Sequence, residues 1–369
     1  FGLDAEAFER TAFIPQKALD TGVNESIVSR LNSLLHGTDE TTNYESAIER
    51  LKERKKRLSN QQKTGVIDKL DKQITEKELE IYFDADFRGG NRGSYTPRLR
   101  SGYVQLAGFT FGRDVTTFCD LTAAPTTIDF QGPNAYNFNF ATMIRYEMAF
   151  LDNHMKFGVA AEMSNVSGTY GQTFMSVPQR VPDFPLYLQY MWGKHRQSHI
   201  RASAVLRNMY LYNDARKTTT DLFGWGAQLS GNIHITKMIQ LFMNGVYGEG
   251  ITPYIQDLTG SGLDFTPNPA NVESIQTMPM WAWQAAGQVN IIPSYLWVSG
   301  GYSTVRVERH NGYFADNQYK RGSYIFGNVF LQLTDNCRLA LEYLHGSRKN
   351  MNGEMGEANR LSMMVQYYF

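Results

Sequence analysis

The last nine residues read Leu361-Ser362-Met363-Met364-Val365-Gln366-Tyr367-Tyr368-Phe369. Leu361, Met363, Val365, Tyr367 and Phe369 share one face of an extended chain, and Ser362, Met364, Gln366 and Tyr368 share the other. Successive side chains of a strand point to opposite faces, so this spacing predicts a strand with one apolar side. A strand in a soluble sheet alternates in the same way. Ending on an aromatic residue in the apolar phase is also what outer-membrane barrels do, so the rest of the chain has to decide.

The period of two recurs upstream. Over 137–150, Phe138, Phe140, Ile144, Tyr146, Met148 and Phe150 take one phase, with Asn137, Asn139, Arg145 and Glu147 in the other. Phe223, Trp225, Ala227, Leu229, Ile233 and Ile235 alternate with Gly224, Gly226, Gln228, Ser230, Asn232 and His234. Trp281, Trp283, Ala285, Val289 and Ile291 alternate with Ala282, Gln284, Gln288 and Asn290. The polar face is as extensive as the apolar one, which a sandwich core would not tolerate. Long strands with aromatic ends and one wet side fit a lipid-facing band.

Connections alternate in length. Long segments near 348–356, 310–319, 250–276, 213–219 and 165–183 are separated by turns at Asp335-Asn336, Pro293-Ser294, Thr236-Lys237, 194–198 and Asp152-Asn153. Long external loops and short periplasmic turns are the asymmetry of a bacterial barrel, with the C-terminus on the short-turn side. Eleven strands follow Asn137. Five more are predicted at 1–9, 25–36, 77–88, 98–106 and 109–118. The expected fold is thus an all-β transmembrane antiparallel barrel of sixteen strands, a single domain over 1–369. The first two strands are ambiguous, because 27–35 also suits a helix, and without them the count is fourteen.

Composition agrees. The 369 residues carry 36 basic and 36 acidic side chains, a net charge of zero that argues for no nucleic-acid partner. There are 21 Tyr, 22 Phe and 32 Gly, and no uncharged stretch reads as a spanning helix. Two cysteines, Cys119 and Cys337, exclude a disulfide scaffold. The opening Phe1-Gly2-Leu3-Asp4 lacks the basic and apolar regions of a signal peptide, which suggests a mature form. Residues 38–80 hold ten acids and ten bases. Tyr44, Ile48, Leu51 and Leu58, then Ile67, Leu70 and Ile74, follow helical spacing. This predicts two amphipathic helices, near 43–60 and 66–77, forming a helical insertion over 38–78 on the periplasmic side.

The stretch Phe111-Gly112-Arg113-Asp114-Val115-Thr116-Thr117-Phe118-Cys119-Asp120, then Asp129-Phe130-Gln131-Gly132-Pro133-Asn134 and Arg145-Tyr146, resembles the trimeric DcaP-like porins of Gram-negative outer membranes. Ser29-Arg30-Leu31 and Arg98-Leu99-Arg100 are similar to upstream pieces of that family. The good match covers about 98–146. The family's Trp in the fifth strand is replaced by Asp114 or Val115, and its periplasmic coil precedes the barrel instead of interrupting it. The resemblance implies a homotrimer in the bacterial outer membrane, in contact with lipopolysaccharide. It also implies a water-filled channel for passive diffusion of small hydrophilic, carboxylate-bearing anions.

In such a barrel the loop after the fifth strand, here 119–136, folds inward and narrows the pore. Asp120 and Asp129 are its charges, and Pro125, Gly132 and Pro133 its bends. Arg30, Arg98, Arg100, Arg145 and Arg207 fall in the polar phase and are the expected pore wall, with Arg201, Arg338 and Arg360 as further candidates. Arginines facing loop acids would set a transverse field that favours anions. No cofactor is expected. His195 and His199 stand four apart without the glutamate of a zinc motif, and no nucleophile elbow or phosphate loop occurs. Small inward residues such as Gly224, Gly226, Ser299, Gly301 and Ser303 favour an open channel over the alternative, an anchor or adhesin with a closed lumen.

Overall fold

The structure, a computed structural model, describes residues 79–90, 96–268, 271–308 and 317–368. The expected strands at 1–9 and 25–36, Arg30, the helical insertion over 38–78 and the terminal Phe369 lie outside the described residues.

In chain order the strands are β1 (Glu80–Gly89), β2 (Thr96–Leu106), β3 (Phe109–Val115), β4 (Phe140–Phe150), β5 (Met155–Glu162), β6 (Phe174–Ser176), β7 (Phe184–Trp192), β8 (Ser198–Asn213) and β9 (Thr218–His234). They continue as β10 (Ile239–Glu249), β11 (Phe265–Asn268), β12 (Asn271–Thr277), β13 (Pro279–Ile292), β14 (Leu296–Val307), β15 (Tyr319–Thr334), β16 (Cys337–Asn350) and β17 (Met355–Tyr367). Fourteen make one wall in the order β1-β2-β3-β4-β5-β7-β8-β9-β10-β13-β14-β15-β16-β17, each antiparallel to its neighbour. β6 adds to β8, and β11 pairs with β12 as a ribbon apart from the wall. Three strand ends move against the sequence reading. β1 starts at Glu80, and β3 stops at Val115 and β4 begins at Phe140 because the loop between them turns away from the wall.

The wall is apolar outside, and its inner face carries many polar residues. On β17, Leu361, Met363 and Val365 are 66%, 78% and 74% exposed, as a lipid-facing strand requires. Ser230, Asn244, Gln284, Ser303, Asn328 and Glu342 are buried on the other face. The wall curls into a cylinder. Laid flat, β1 and β17 would stand about 60 Å apart at the usual strand spacing. Yet Asp129 is 2.9 Å from Arg360 on β17, and the next residue, Phe130, shares a cavity with Asp86 of β1 and Arg98 of β2. One dipeptide reaches both edges.

Short turns line one end of the cylinder, and one of its two two-residue turns joins β2 to β3 through Ala107 (φ 53°) and Gly108 (φ 83°). Positive φ at both positions is what a two-residue hairpin needs. A Cβ on Gly108 would sit 2.5 Å from the Glu147 carbonyl oxygen. The long segments 116–139, 163–183 and 250–278 lie at the other end. The β8–β9 link is shorter than expected, only 214–217, because those strands run for 16 and 17 residues.

Candidate functional site

The loop 116–139 enters the cylinder and is tied to the wall at root, middle and tip. At the root, Glu162 of β5 accepts from Thr116 Oγ1 at 2.6 Å and the Thr117 amide at 2.7 Å, and Arg201 donates to the Thr117 carbonyl. Arg201 is itself stacked 3.5 Å over Tyr187. In the middle, Asp120 caps a turn of 3₁₀ helix at Leu121–Ala123 and lies 2.8 Å from His199 Nε2 and 2.6 Å from Ser230 Oγ. At the tip, Glu342 of β16 accepts the Ile128 and Asp129 amides at 2.9 and 2.8 Å. Arg360 and Tyr324 hold the Asp129 carboxylate at 2.9 and 3.1 Å. Charge-assisted bonds to backbone amides are among the stronger ties available to a loop.

A second loop, 250–268, packs beside the first. The Gln256 and Asp257 amides donate to the Tyr136 and Asn134 carbonyls at 2.9 and 3.3 Å. Its Ile251, Tyr254, Ile255, Leu258 and Leu263 are buried against Val205, Val246, Met280, Ala282, Val305 and Val307 on the inner wall. This apolar cluster lies in the lumen beside β8, β10, β13 and β14. At its edge Arg207, 1% exposed, reaches Asp183 at 3.0 Å and Asp264 at 3.2 Å, and also donates to the Gly250 and Asn165 carbonyls. It thereby lashes 163–183 and 250–268 to β8.

A cavity of about 420 Å³ lies between β1–β3 and the two loops. Arg98, Arg100 and Arg113 line the wall side; Phe130, Gln131, Phe138, Gln256 and Thr259 line the loop side. Arg100 and Arg113 both lie over the Phe140 ring, at 5.6 and 5.7 Å, which fixes their guanidiniums. Arg98 pairs with Asp86 at 2.5 Å and Arg100 with Asp84 at 3.5 Å. Among the described residues no carboxylate lies within 4.0 Å of Arg113, and its Nε has no hydrogen-bond partner. Three guanidiniums thus stand beside this cavity against the two carboxylates paired with them, Asp84 and Asp86.

The family model of a porin subfamily matches residues 42–291, two thirds of the sequence. The chain belongs to this porin subfamily. Among solved structures, the outer membrane channel DcaP of Acinetobacter baumannii matches with a TM-score of 0.69 at 19% identity, over 80% of this chain and 81% of that one. OmpT of Vibrio cholerae, folded in vitro, matches at 0.49 and 13%, over 79% and 85%. The anion-selective porin from Comamonas acidovorans matches at 0.48 and 12%, over 79% and 83%. No curated protein matches. The porin is thus a channel of the bacterial outer membrane with a DcaP-like barrel fold.

The porin's expected site residues divide. Arg98 and Arg100 line the cavity. Arg145 is largely withdrawn into the wall, 2.8 Å from Asp114 and 3.4 Å from Glu147. Arg207 offers nothing to the lumen, since loops carrying Asp183 and Asp264 close over it. Asp120 faces β8 and β9 and not the arginines, and Asp129 is turned to Arg360, so the loop acids are anchors more than field-setting charges. Phe138 and Phe140, expected outside with Ile144, line the cavity. Arg113 shares the phase of the exposed Phe109 and Phe111, but Gly112 takes φ 137° and the alternation breaks there. Glu162 and Glu342 carried a weak sequence signal as acids within strands, and Gln256 and Thr259 carried none.

Burial pushes the Asp120 carboxyl up, but the hydrogen bond and charge of His199, then Ser230 and Arg201, outweigh it and hold it at about 2. A carboxylate with a depressed folded value ties its loop fully above the ordinary value of about 4 and loses that tie as pH falls through the folded value. Single-channel noise is therefore expected to stay constant down to about pH 4 and to rise below it. In Asp120→Asn the rise should be missing and the noise higher at neutral pH.

Proposed function

We propose that this porin passes small hydrophilic anions, carboxylates in particular, through an off-centre neck along β1–β3. The observation that carries this reading is the cavity lined by Arg98, Arg100 and Arg113, with no carboxylate among the described residues within 4.0 Å of Arg113. A guanidinium keeps its charge at every accessible pH and its planar fork suits a carboxylate. In a narrow site of lower effective dielectric, its attraction for an anion exceeds the value in bulk water. The Phe140 ring holds the Arg100 and Arg113 guanidiniums in place, and Gln131 and Gln256 offer amides to a solute's remaining polar atoms.

The reading predicts anion preference in a potassium chloride gradient, and a larger preference when succinate competes with a quaternary ammonium ion of similar size. Gln256→Glu places an acid opposite the arginines and should bring the reversal potential close to zero. Cation preference in the wild type, or no shift in Gln256→Glu, contradicts it. The resemblance to trimeric porins supports assembly of three copies, and a native mass of one chain in mild detergent would count against that part.

A further inference from the structure

Two cavities meet inside the cylinder. The first is the 420 Å³ space beside Arg98, Arg100 and Arg113. The second, of about 310 Å³, lies against Leu121 and residues 124–127 of the inward loop and reaches Asp129, Gly132 and Tyr136. Arg100, Phe130 and Phe138 line both. Side chains that border two cavities stand between them, and two of these three are hydrocarbon.

Phe130 is 79% exposed, yet it sits on the loop inside the cylinder and faces the lumen instead of lipid. Its backbone keeps it there. On one side the Asp129 amide donates to Glu342 at 2.8 Å, and the Asp129 carboxylate is held by Arg360 and Tyr324. On the other side the Gln131 amide donates back to the Asp129 carboxylate at 3.2 Å, and a Cβ on Gly132 would run into the Tyr324 hydroxyl. The ring cannot retreat to the wall while this tip is tied. Phe138 is fixed by its own neighbours. It stacks on Tyr136 at 6.1 Å and meets Phe140 edge-on at 5.0 Å. Phe140 is the ring that carries Arg100 and Arg113, so the apolar and the charged parts of the neck are one packed unit.

We propose that Phe130 and Phe138 form an apolar step between the two cavities, where a solute exchanges part of its water shell for contact with the rings. Hydrophobic constrictions in channels act by disfavouring water, and taking water from a polar group costs free energy unless a partner replaces it. Arg100 supplies that partner to an anionic group, and the rings supply none. Charge then decides the sign of the solute. The step decides among solutes of one sign, in favour of those that hold water loosely. The inference rests on the channel reading of the same neck, but the rings carry no charge, so it holds for either sign of selectivity.

The test is the reversal potential in planar bilayers with potassium thiocyanate on one side and potassium fluoride on the other. The two anions carry the same charge, and fluoride holds its water far more tightly. The wild type should favour thiocyanate well beyond the ratio of the two mobilities in free solution. In Phe130→Gln, a polar side chain of similar reach, the permeability ratio should fall roughly threefold, the effect of losing contact worth about one methylene group. Phe130→Leu keeps an apolar side chain and should keep most of the preference. The ring is exposed, so neither replacement takes packing from the barrel. A potassium chloride gradient on the wild type reports the anion reading separately. Cation preference there overturns that reading alone, and the step is then measured with caesium against lithium, which holds its water more tightly. A wild-type ratio equal to that of the mobilities overturns the proposal. So does an unchanged ratio in Phe130→Gln. An equal loss in Phe130→Leu and Phe130→Gln overturns it too, because the ring would then act by size.

Discussion

With Arg98, Arg100 and Arg113 replaced together by alanine, the channel is expected to turn from anion-preferring to cation-preferring. The sign follows from what remains. Asp84 and Asp86 offset two of the three guanidiniums, and their negative charges remain beside the cavity when the arginines are removed. A unit charge at 4 Å is worth about 1 kcal/mol in water and about 4 at the effective dielectric of a protein surface. Since about 1.4 kcal/mol is a factor of ten, the anion-to-cation permeability ratio should fall at least tenfold. The single variants separate the contributions. Arg113→Ala leaves two neutral pairs and should abolish preference without reversing it. Arg113→Lys keeps the charge and should keep the sign. Arg98→Ala likewise removes one positive charge and should resemble Arg113→Ala. The measurement is the reversal potential in a potassium chloride gradient. A triple variant that still prefers anions would place selectivity elsewhere.

The second large effect is expected at Arg207. Arg207→Met removes the partner of Asp183 and Asp264 and leaves the Gly250 and Asn165 carbonyls without their donor. Breaking one side of a buried ion pair costs about 3–5 kcal/mol, because the remaining charge is stranded away from water. The wall is held by its own ladder of backbone hydrogen bonds and should persist. The weaker structure is the packing of 163–183 and 250–268 inside it, and these loops should come loose. The expected reading is higher, fluctuating conductance and rapid proteolysis of both loops, with the barrel's heat-modified gel mobility unchanged. Adding Asp183→Asn and Asp264→Asn removes the stranded charges and should recover part of the loop protection. Arg207→Lys should fall between, since an ammonium cannot span four acceptors with a planar fork. Wild-type conductance together with wild-type protease resistance in Arg207→Met would show that the cluster does not hold the loops.

The two variants probe different levels of the molecule, and their legibility differs accordingly. The wall could be read directly, because its rules are local. Period-two alternation decides which of Ile325 and Phe326, or Tyr343 and Leu344, meets lipid. Turn residues such as Ala107-Gly108 and Asp335-Asn336 decide where a strand reverses. Alternating long and short connections decide which rim is external. The block around Asp129-Phe130-Gln131-Gly132-Pro133-Asn134 further pointed to the loop that enters the lumen and to a kind of porin.

Pairing of charges inside the cylinder obeys no local rule. Arg207 sits in the polar phase like Arg98 and Arg100, and nothing in its neighbours says that Asp183 and Asp264 will fold over it. Glu342 and the amides it holds are 214 and 213 positions apart. Asp120 and Ser230 are 110 apart. Only curling the wall brings them together. Strict alternation puts Arg113 in the phase of the exposed Phe109 and Phe111, but the break at Gly112 turns it toward the cavity. Gln256 and Thr259 reached the neck only because five apolar residues of their loop packed against the inner wall and carried them there. Sequence alone determined the barrel, its faces and its inward loop, through interactions that repeat every few residues. Tertiary structure decided which arginines are buried and which face the solute, because that depends on where distant loops put their carboxylates.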